Sequence, residues 1–549
     1  MISVQRLIQA ISLFCFLALL WLAAFPLPDW APVDAFLRMD PLVLLGTVFA
    51  ARSWIPGLGL SFLILAATAI LGRFFCGYLC PMGTTLDLTD RLFRPKHNDP
   101  ANPARLKQSN GLRRIKYLLL FFLAGIAALG VSAVFIASPL SLITRFYAML
   151  VHPLAALTSD GLLHLIRPLA LHQDWTWAAY AEIPRPRFST QWFVLTFFLG
   201  IFALAWFSPR FWCRYLCPSG AILALVGRKP LMRRMVADAC TRCDACRQSC
   251  PMDAITVDPR ETRHDECIAC LNCVRACPVD AISFGSAIKP VRTPDPFLPR
   301  RREALLAGLA GVGAATLTLT GLAEVRGELL PGNPMPPDLL RPPGALPERT
   351  FLARCIRCGL CMRACPTNTL QPLWLQAGVV SLFSPGLMPR RGPCLPECTT
   401  CGDVCPTGAI PSLPLFEKQW AKIGTAHILR HKCLAWEWEK ECLVCDEVCP
   451  YDAIELRKIP EVGVSVPFVR GNQCSGCGFC EYHCPVRAAS AIVVEPMEAL
   501  RLDSGSYKQT GQAIGLRLNI DPKDKAFTAV NDNDSMNDDM TRPAPGFTF

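Results

Sequence analysis

The stretch Cys240-Thr-Arg-Cys243-Asp-Ala-Cys246-Arg-Gln-Ser-Cys250-Pro251 decides the fold of one domain of this chain. This spacing lets three thiolates wrap one [4Fe–4S] cluster while the fourth, before proline, ligates a second cluster. The spacing returns in Cys267, Cys270, Cys273 and Cys277. We therefore expect one cluster on Cys240, Cys243, Cys246 and Cys277, and another on Cys267, Cys270, Cys273 and Cys250. Structural zinc, the alternative, favours two separated cysteine pairs.

Four further groups of four cysteines follow, each ending in a Cys-Pro pair. Two groups keep the regular spacing, and two have a longer first gap, which lengthens one ligand loop without changing the number of thiolates. We expect four more [4Fe–4S] clusters, six in all, on Cys355, Cys358, Cys361, Cys365, Cys394, Cys398, Cys401, Cys405, Cys433, Cys442, Cys445, Cys449, Cys474, Cys477, Cys480 and Cys484. Their number indicates a domain whose fold depends on cluster binding.

The cysteine count favours metal binding over disulfides. The 549 residues include 29 cysteines, an odd number, so complete pairing is excluded. A composition of 52% hydrophobic and 18% charged residues also excludes a single soluble domain. Outside the six groups lie two cysteine pairs and Cys15, which we interpret as a small apolar side chain in a membrane helix.

Four apolar stretches predict a transmembrane domain over residues 1–230. They cover residues 7–27, 58–75, 115–136 and 192–207. About 20 apolar residues cross a bilayer core, and a cleaved signal peptide is the alternative for the first stretch. The loop 87–116 carries eight Lys and Arg residues, so this loop and the N-terminus are predicted to be cytoplasmic. The net charge of +11 then reflects membrane orientation, and no nucleic-acid partner is expected.

Residues 138–186, between the third and fourth stretches, are predicted to lie outside the membrane. They include His152, His164 and His172, which we interpret as exposed or interfacial side chains. Haem would need facing histidines inside the bilayer or a Cys-x-x-Cys-His motif. The sequence has neither signal, so no haem is expected.

Two near repeats end the second and fourth stretches: Cys76-Gly-Tyr-Leu-Cys80-Pro81 and Cys213-Arg-Tyr-Leu-Cys217-Pro218. Cysteines four residues apart share a helix face, so two such motifs together offer four thiolates to an additional metal centre. The alternative is two helix ends stopped by proline, with buried thiols acting as small hydrophobic groups.

A dicluster domain is predicted at residues 231–290, and a basic and then apolar segment follows it. Arg300-Arg301-Arg302 precedes an apolar segment, and we interpret residues 300–323 as a fifth transmembrane helix or an export-signal-like anchor. A soluble hairpin is the alternative, because three glycines weaken the helix. A Pro-rich linker is predicted at 324–350 and a periplasmic four-cluster domain at 351–500. Residues 501–549 read as a polar, partly disordered tail containing Asp532, Asp534, Asp538, Asp539 and Arg542.

Together these motifs resemble two known families. Residues 1–290 look like the NapH family of membrane iron–sulfur quinol dehydrogenases, with four helices, two Cys-x3-Cys-Pro motifs and a two-cluster ferredoxin. Residues 300–500 are similar to the NapG/MauM ferredoxins, with an Arg-Arg signal, the segment Arg341-Pro342-Pro343-Gly344-Ala345 and a long first gap after Cys433. By analogy with four-cluster ferredoxins, the first outer group is expected to exchange ligands with the fourth, and the second with the third.

The resemblance implies a fold and a function. The expected fold is a membrane α-helical bundle, with four helices plus a fifth, carrying two α+β ferredoxin-like polyferredoxin domains. We expect a multi-pass protein of the bacterial inner membrane that passes electrons from menaquinol towards a periplasmic reductase, as in periplasmic nitrate reduction, or a c-type cytochrome. Alternatives are redox maintenance or maturation of a periplasmic metalloenzyme, or a conduit from a cytoplasmic ferredoxin. Fusion of the two parts departs from the family pattern and leaves the terminal acceptor open.

Overall fold

The computed structural model describes residues 4–93, 111–173, 185–286, 297–320, 339–374, 378–486 and 489–520, with five positions between 174 and 184. These residues fall into two units. The first comprises residues 1–387 and 400–412, and the second residues 388–399 and 413–549. The outer domain predicted at 351–500 is thus divided between them. The acidic residues 532–539 and residues 324–338 of the predicted linker lie outside the described residues.

The first unit begins with a layer of helices. They are α1 (Val4–Leu22), α2 (Ala35–Arg38), α3 (Pro41–Ala51), α4 (Leu60–Leu71), α5 (Phe74–Tyr78), α6 (Pro81–Phe93), α7 (Ile115–Ala128), α8 (Pro139–His172), α9 (Gln191–Ala203) and α10 (Pro218–Val226). A π-helical turn at Tyr147–Val151 lies inside α8, and another at Trp212–Leu216 precedes α10. Asp40 and Ser138 cap the N-termini of α3 and α8, each ahead of a proline.

The predicted four-helix membrane bundle is not confirmed. Among the described residues, two helices, Val4–Leu22 and Pro139–His172, are long and apolar enough to cross a membrane. The other predicted spans are helices of 12 residues (α4), 14 residues (α7) and 13 residues (α9). A 14-residue helix is about 21 Å long, short of the roughly 30 Å bilayer core. The 138–186 segment, expected outside the membrane, instead contains the longest apolar helix in the described chain.

The polarity of α1 is inverted relative to a soluble helix. Its buried face carries Gln5, Gln9 and Ser12, whereas Leu7 and Phe14 are 53% and 71% exposed. The glutamines donate to the carbonyl of Gly77, and Ser12 donates to the carbonyl of Leu79. The polar side chains of α1 therefore hold the broken α4–α5–α6 segment, while apolar side chains face outward.

The dicluster part of the first unit is built on a small antiparallel sheet. Strand β1 (Met232–Val236) pairs with β2 (Ile282–Ser286), and the one-turn helices α11 (Ala245–Gln248) and α12 (Asn272–Arg275) lie between them. Helix α13 (Arg301–Leu319) follows and packs closely against α7 through glycines. The predicted fifth helix is thus a helix of 19 residues.

The remaining part of the first unit starts inside the predicted linker. Leu339, Leu340 and Arg341 are buried, and Arg341 forms an ion pair with Glu348. Helices α14 (Glu348–Arg354) and α15 (Leu360–Ala364), the paired strands β3 (Leu370–Pro372) and β4 (Pro385–Leu387), and α16 (Thr400–Asp403) complete it. The end of the Pro-rich segment belongs to the core, because its leucines are buried and Arg341 is paired with Glu348.

The second unit contains two antiparallel strand pairs. Strand β5 (Thr425–Ile428) pairs with β8 (Ile492–Glu495), and β6 (Ile454–Lys458) pairs with β7 (Ser465–Val469). Its helices are α17 (Leu415–Trp420), α18 (Leu434–Glu437), α19 (Val444–Glu447), α20 (Phe479–His483) and α21 (Tyr507–Ala513). Part of the predicted tail is packed here, since Leu516 and Leu518 join Tyr451 in a buried cluster.

Candidate iron–sulfur sites

The backbone of the cysteine loops has a repeated conformation. In four groups, the residues two and four positions after the first cysteine have positive φ: Arg242 and Asp244, Ala269 and Leu271, Arg357 and Gly359, Gly476 and Gly478. Left-handed residues reverse the chain over short distances, so three thiols of a C-x2-C-x2-C run turn towards one centre. The third residue after five of the Cys-Pro cysteines is also left-handed, at Asp253, Asp280, Asn368, Gly408 and Asp452. Asp, Asn and Gly tolerate that conformation best.

In the dicluster part, the structure brings together the four cysteines of one predicted site. Cys267, Cys270 and Cys273 line a cavity of about 360 Å³ together with Cys250. Cys246 and Cys277 share a second buried cluster of side chains, and Cys240 lies within electrostatic reach of Cys246. The donor set of each site suits a [4Fe–4S] cluster, with three thiols from one loop and one from the other.

The predicted pairing of the outer groups is wrong. Cys355, Cys358 and Cys361 line a cavity of about 370 Å³ with Cys405, the last cysteine of the second group. In the second unit, Cys433, Cys442 and Cys445 line a cavity of about 390 Å³ with Cys484, the last cysteine of the fourth group. Cys405 of the second group therefore lies with the first group, and Cys484 of the fourth group lies with the third.

The fourth group agrees with this exchange. Cys477 and Cys480 lie within electrostatic reach of Cys474 and of Cys449, the last cysteine of the third group. Burial, and then the neighbouring thiols, raise the pKa of Cys477 to about 12. Such thiols become thiolates most readily when iron binds them, as cluster ligation requires. Cys365, Cys394, Cys398 and Cys401 remain predicted ligands.

The dicluster part is fastened to the helical layer by buried charges. Glu266, beside Cys267, forms ion pairs with Arg73 and Lys116, and all three side chains are fully buried. Burial by itself would raise the pKa of Glu266, but the charges of Lys116 and Arg73 lower it to about 2. Tyr78 also donates to the carbonyl of Ala269 at 2.8 Å. Sequence reasoning did not identify these residues, whose burial is set by packing.

The site of Cys355 lies against the other side of the helical layer. Ser141 of α8 donates to the carbonyl of Ile356 at 2.7 Å. Arg145, one turn further along α8, is 5% exposed and donates to the carbonyl of Arg357. Arg145 also lies within electrostatic reach of Cys358 and Cys355. A buried cation thus lies beside this cysteine cavity.

The structure brings together the four cysteines of the two Cys-x3-Cys-Pro motifs. Cys80 lies within electrostatic reach of Cys76 and Cys213, and Cys217 within reach of the other three. The motifs share another residue that sequence reasoning missed: an arginine three positions before the first cysteine, Arg73 and Arg210. Both arginines are fully buried.

Comparison with known proteins agrees with the cysteine geometry. Models of 4Fe-4S dicluster domains match residues 232–278 and 440–488. Models of 4Fe-4S binding domains match residues 351–371 and, in two copies, residues 53–98 and 190–235. The methylamine utilization ferredoxin-type protein MauM of Methylorubrum extorquens is 37% identical over 230 residues, 40% of this chain and 99% of the relative. The chain belongs to the MauM/NapG family of ferredoxin-type proteins.

Other relatives support the same assignment. Ferredoxin-type protein NapG of Escherichia coli is 33% identical over 217 residues, 38% of this chain and 88% of the relative. Ferredoxin-type protein NapF of Escherichia coli is 32% identical over 155 residues, 28% of this chain and 84% of the relative. This MauM/NapG family member is therefore an iron–sulfur electron-transfer protein with several 4Fe-4S domains. The match at 440–488 covers three cysteines of the third group and all four of the fourth group, in agreement with their exchange of ligands.

Proposed function

We propose that this protein is a multi-pass inner-membrane electron conduit that takes electrons from menaquinol and delivers them through six [4Fe–4S] clusters to a periplasmic c-type cytochrome or reductase. In this proposal the helical half acts as a NapH-type membrane module fused to a NapG/MauM-type ferredoxin. When bound, such clusters accept and donate single electrons. The protein's residues position them and tune their environment.

One observation carries the proposal: the dicluster part and the site of Cys355 contact opposite ends of helix α7. At its start, Lys116 forms an ion pair with Glu266 of the dicluster part. At its end, Ala127 packs in one buried cluster with Ala353, next to Cys355. These ends are separated by 11 residues, or about 17 Å along the helix. The helical layer therefore lies between two cysteine sites, which supports electron transfer from one side of this layer to the other.

The outward-facing side chains of the helices support a lipid environment. Leu63 of α4, Trp192 and Leu199 of α9 and Leu306 and Leu309 of α13 are each at least 55% exposed. Large apolar side chains exposed on three helices, together with the polar inner face of α1, agree with helices whose outer surface faces lipid. Arg113, Arg114 and Lys116 lie at the dicluster end of α7, and Arg113 forms an ion pair with Asp253. By the positive-inside rule, these basic residues support a cytoplasmic position for that end.

Menaquinol oxidation is tested with the purified full-length protein. Oxidation of one menaquinol releases two electrons and two protons, so a reduced menaquinol analogue, added anaerobically, should bleach the cluster absorbance. Dithionite provides the control for intact, reducible clusters. Bleaching by dithionite without bleaching by the quinol would refute quinol oxidation. Co-purification of a periplasmic haem protein would identify the acceptor class.

A further inference from the structure

The four cysteines of the helical layer lie where two helices are interrupted. Cys80 immediately precedes Pro81, the first residue of α6, and Cys217 is the N-cap of α10. The Cys217 thiol accepts a hydrogen bond from the Gly220 N–H at 3.3 Å. A thiolate at such a position is stabilised by the helix N-terminus. The second cysteine of each motif therefore lies at the start of a helix, beside backbone N–H groups.

Each arginine of the repeat reaches the motif of the other repeat. Arg210 donates to the carbonyl of Cys76 at 2.9 Å. Arg73 lies beside Gly220, where an added Cβ would be 2.9 Å from Arg73 Nη2 and 3.5 Å from the Cys217 Sγ. Glycine is therefore needed for the guanidinium to approach Cys217. The exchange of arginines gives the four cysteines an approximate twofold arrangement.

Arg73 has donors without a partner. Its Nη1 binds Glu266, but Nε and Nη2 are buried and have no hydrogen-bond partner. An unpaired buried donor of a charged group is costly, because it has lost its hydrogen bonds to water. Glu266 is shared with Lys116, so these two cations face one carboxylate. Arg210, by contrast, is paired with Asp87. An anion at Cys217 would satisfy the remaining donors of Arg73.

We propose that Cys76, Cys80, Cys213 and Cys217 jointly bind one [4Fe–4S] cluster, additional to the six of the ferredoxin motifs. The two segments matched to 4Fe-4S binding domains contain two cysteines each, so neither supplies four ligands alone. In the described part of the chain, no three Cys, His, Asp or Glu side chains are arranged for a single metal ion. Tetrahedral zinc needs thiolates close together at about 2.3 Å from the ion, whereas a cubane spreads them over its corners.

The position of this centre suits a relay, and that role rests on the proposed function. On one side, Cys76 packs against a buried cluster of the dicluster part that contains Cys270 and is also contacted by Cys250 and Cys267. On the other side, Ser219, two residues after Cys217, donates to Asp40, which also accepts from Ser138 at the start of α8. Helix α8 then contacts the Cys355 site. One electron at a time would pass from the reduced dicluster cluster to this centre and on to the oxidised cluster at Cys355.

Metal analysis of the anaerobically purified full chain tests the centre. The Cys80→Ala/Cys217→Ala double variant should lose about four iron and four sulfide atoms per chain relative to the unchanged protein. The Cys15→Ala variant, which changes the exposed cysteine of α1, should lose none. Equal iron content in the double variant would overturn the proposal, as would one zinc per chain that the double variant loses.

A second measurement does not depend on the folding of a variant. In the iron-replete unchanged protein, the four thiols should resist alkylation until iron is chelated. Alkylation of the four thiols at the same rate before and after chelation would overturn the proposal. Both readouts are independent of quinol, so a protein with the extra iron that menaquinol fails to reduce would refute the proposed function and leave this centre standing.

Discussion

Replacing Gly311 with alanine should loosen helix α13 from α7, whereas the same change at Gly313 should not. A Cβ at Gly311 would lie 2.1 Å from the Phe122 carbonyl oxygen and 3.2 Å from the Ile126 nitrogen. Both are backbone atoms of α7 and have no rotamer to change, so the helices must move apart by about 1 Å to restore normal contact. A Cβ at Gly313 would meet nothing within 4 Å.

Comparison of the two variants isolates the free-energy cost of overpacking between α13 and α7. Alanine favours each helix by about 1 kcal/mol relative to glycine, and this gain is common to both variants. Overpacking costs about 1–3 kcal/mol at Gly311 alone. The α13 opening free energy should therefore be about 1–3 kcal/mol lower in Gly311→Ala than in Gly313→Ala, which corresponds to about 5- to 150-fold faster amide exchange.

Hydrogen exchange of α13 peptides, followed by mass spectrometry on the cluster-loaded protein in detergent, measures this difference. The exchange of α1 peptides should be equal in the two variants and provides an internal control. Equal exchange of α13 in both variants would refute the inference that glycines bring α13 and α7 into backbone contact.

Three further predictions concern charge and topology. Glu266→Gln should leave Arg73 and Lys116 without an anion and destabilise the attachment of the dicluster part by about 3–5 kcal/mol, so iron should be released at a lower urea concentration. Glu303→Gln, which changes an exposed pair with Arg114, should have little effect. Equal urea midpoints of iron release for the two variants would contradict this prediction. Arg145→Gln removes a buried cation near Cys355 and Cys358 and should therefore lower the reduction potential of one cluster. The decrease should be about 59 mV for each 1.4 kcal/mol of lost interaction. In a redox titration followed by EPR, the control variant Arg167→Gln on the same helix should leave all potentials unchanged. The proposed orientation places the C-terminal ferredoxin part in the periplasm, so a reporter fused after residue 549 should be active in the periplasm and not in the cytoplasm. Activity of this fusion in the cytoplasm would refute the proposed orientation.

The cluster motifs show how far local sequence determines a site. Spacing alone predicted the ligands, and the structure places Cys250 beside Cys267, Cys270 and Cys273, as the predicted exchange requires. The loop conformation is also local, because Asp, Asn or Gly occupies left-handed positions after the Cys-Pro cysteines. The pairing of the outer groups failed because it was taken by analogy. The cavities instead join consecutive groups, at Cys405 and Cys484.

The helical half shows where sequence patterns are insufficient. Hydropathy located the apolar stretches but not their breaks at Gly72 and Arg73, or the long helix that begins at Pro139. Charged residues such as Arg73 and Glu266 carry no burial signal in the sequence, since their burial depends on partners about 190 residues away. The repeated arginine before each Cys-x3-Cys-Pro motif was the available signal.

The sequence by itself predicted the cluster ligands and determined how each loop folds, because spacing and left-handed residues act within a few positions. Only the tertiary structure decided which loops share a site, how Asp40 links Ser219 to Ser138, and that Arg73 and Arg210 exchange between the two repeats. Those outcomes depend on burial of charge and on packing between segments far apart in the chain. Burying these charges costs desolvation energy, and their ion pairs offset that cost only in the folded helical layer.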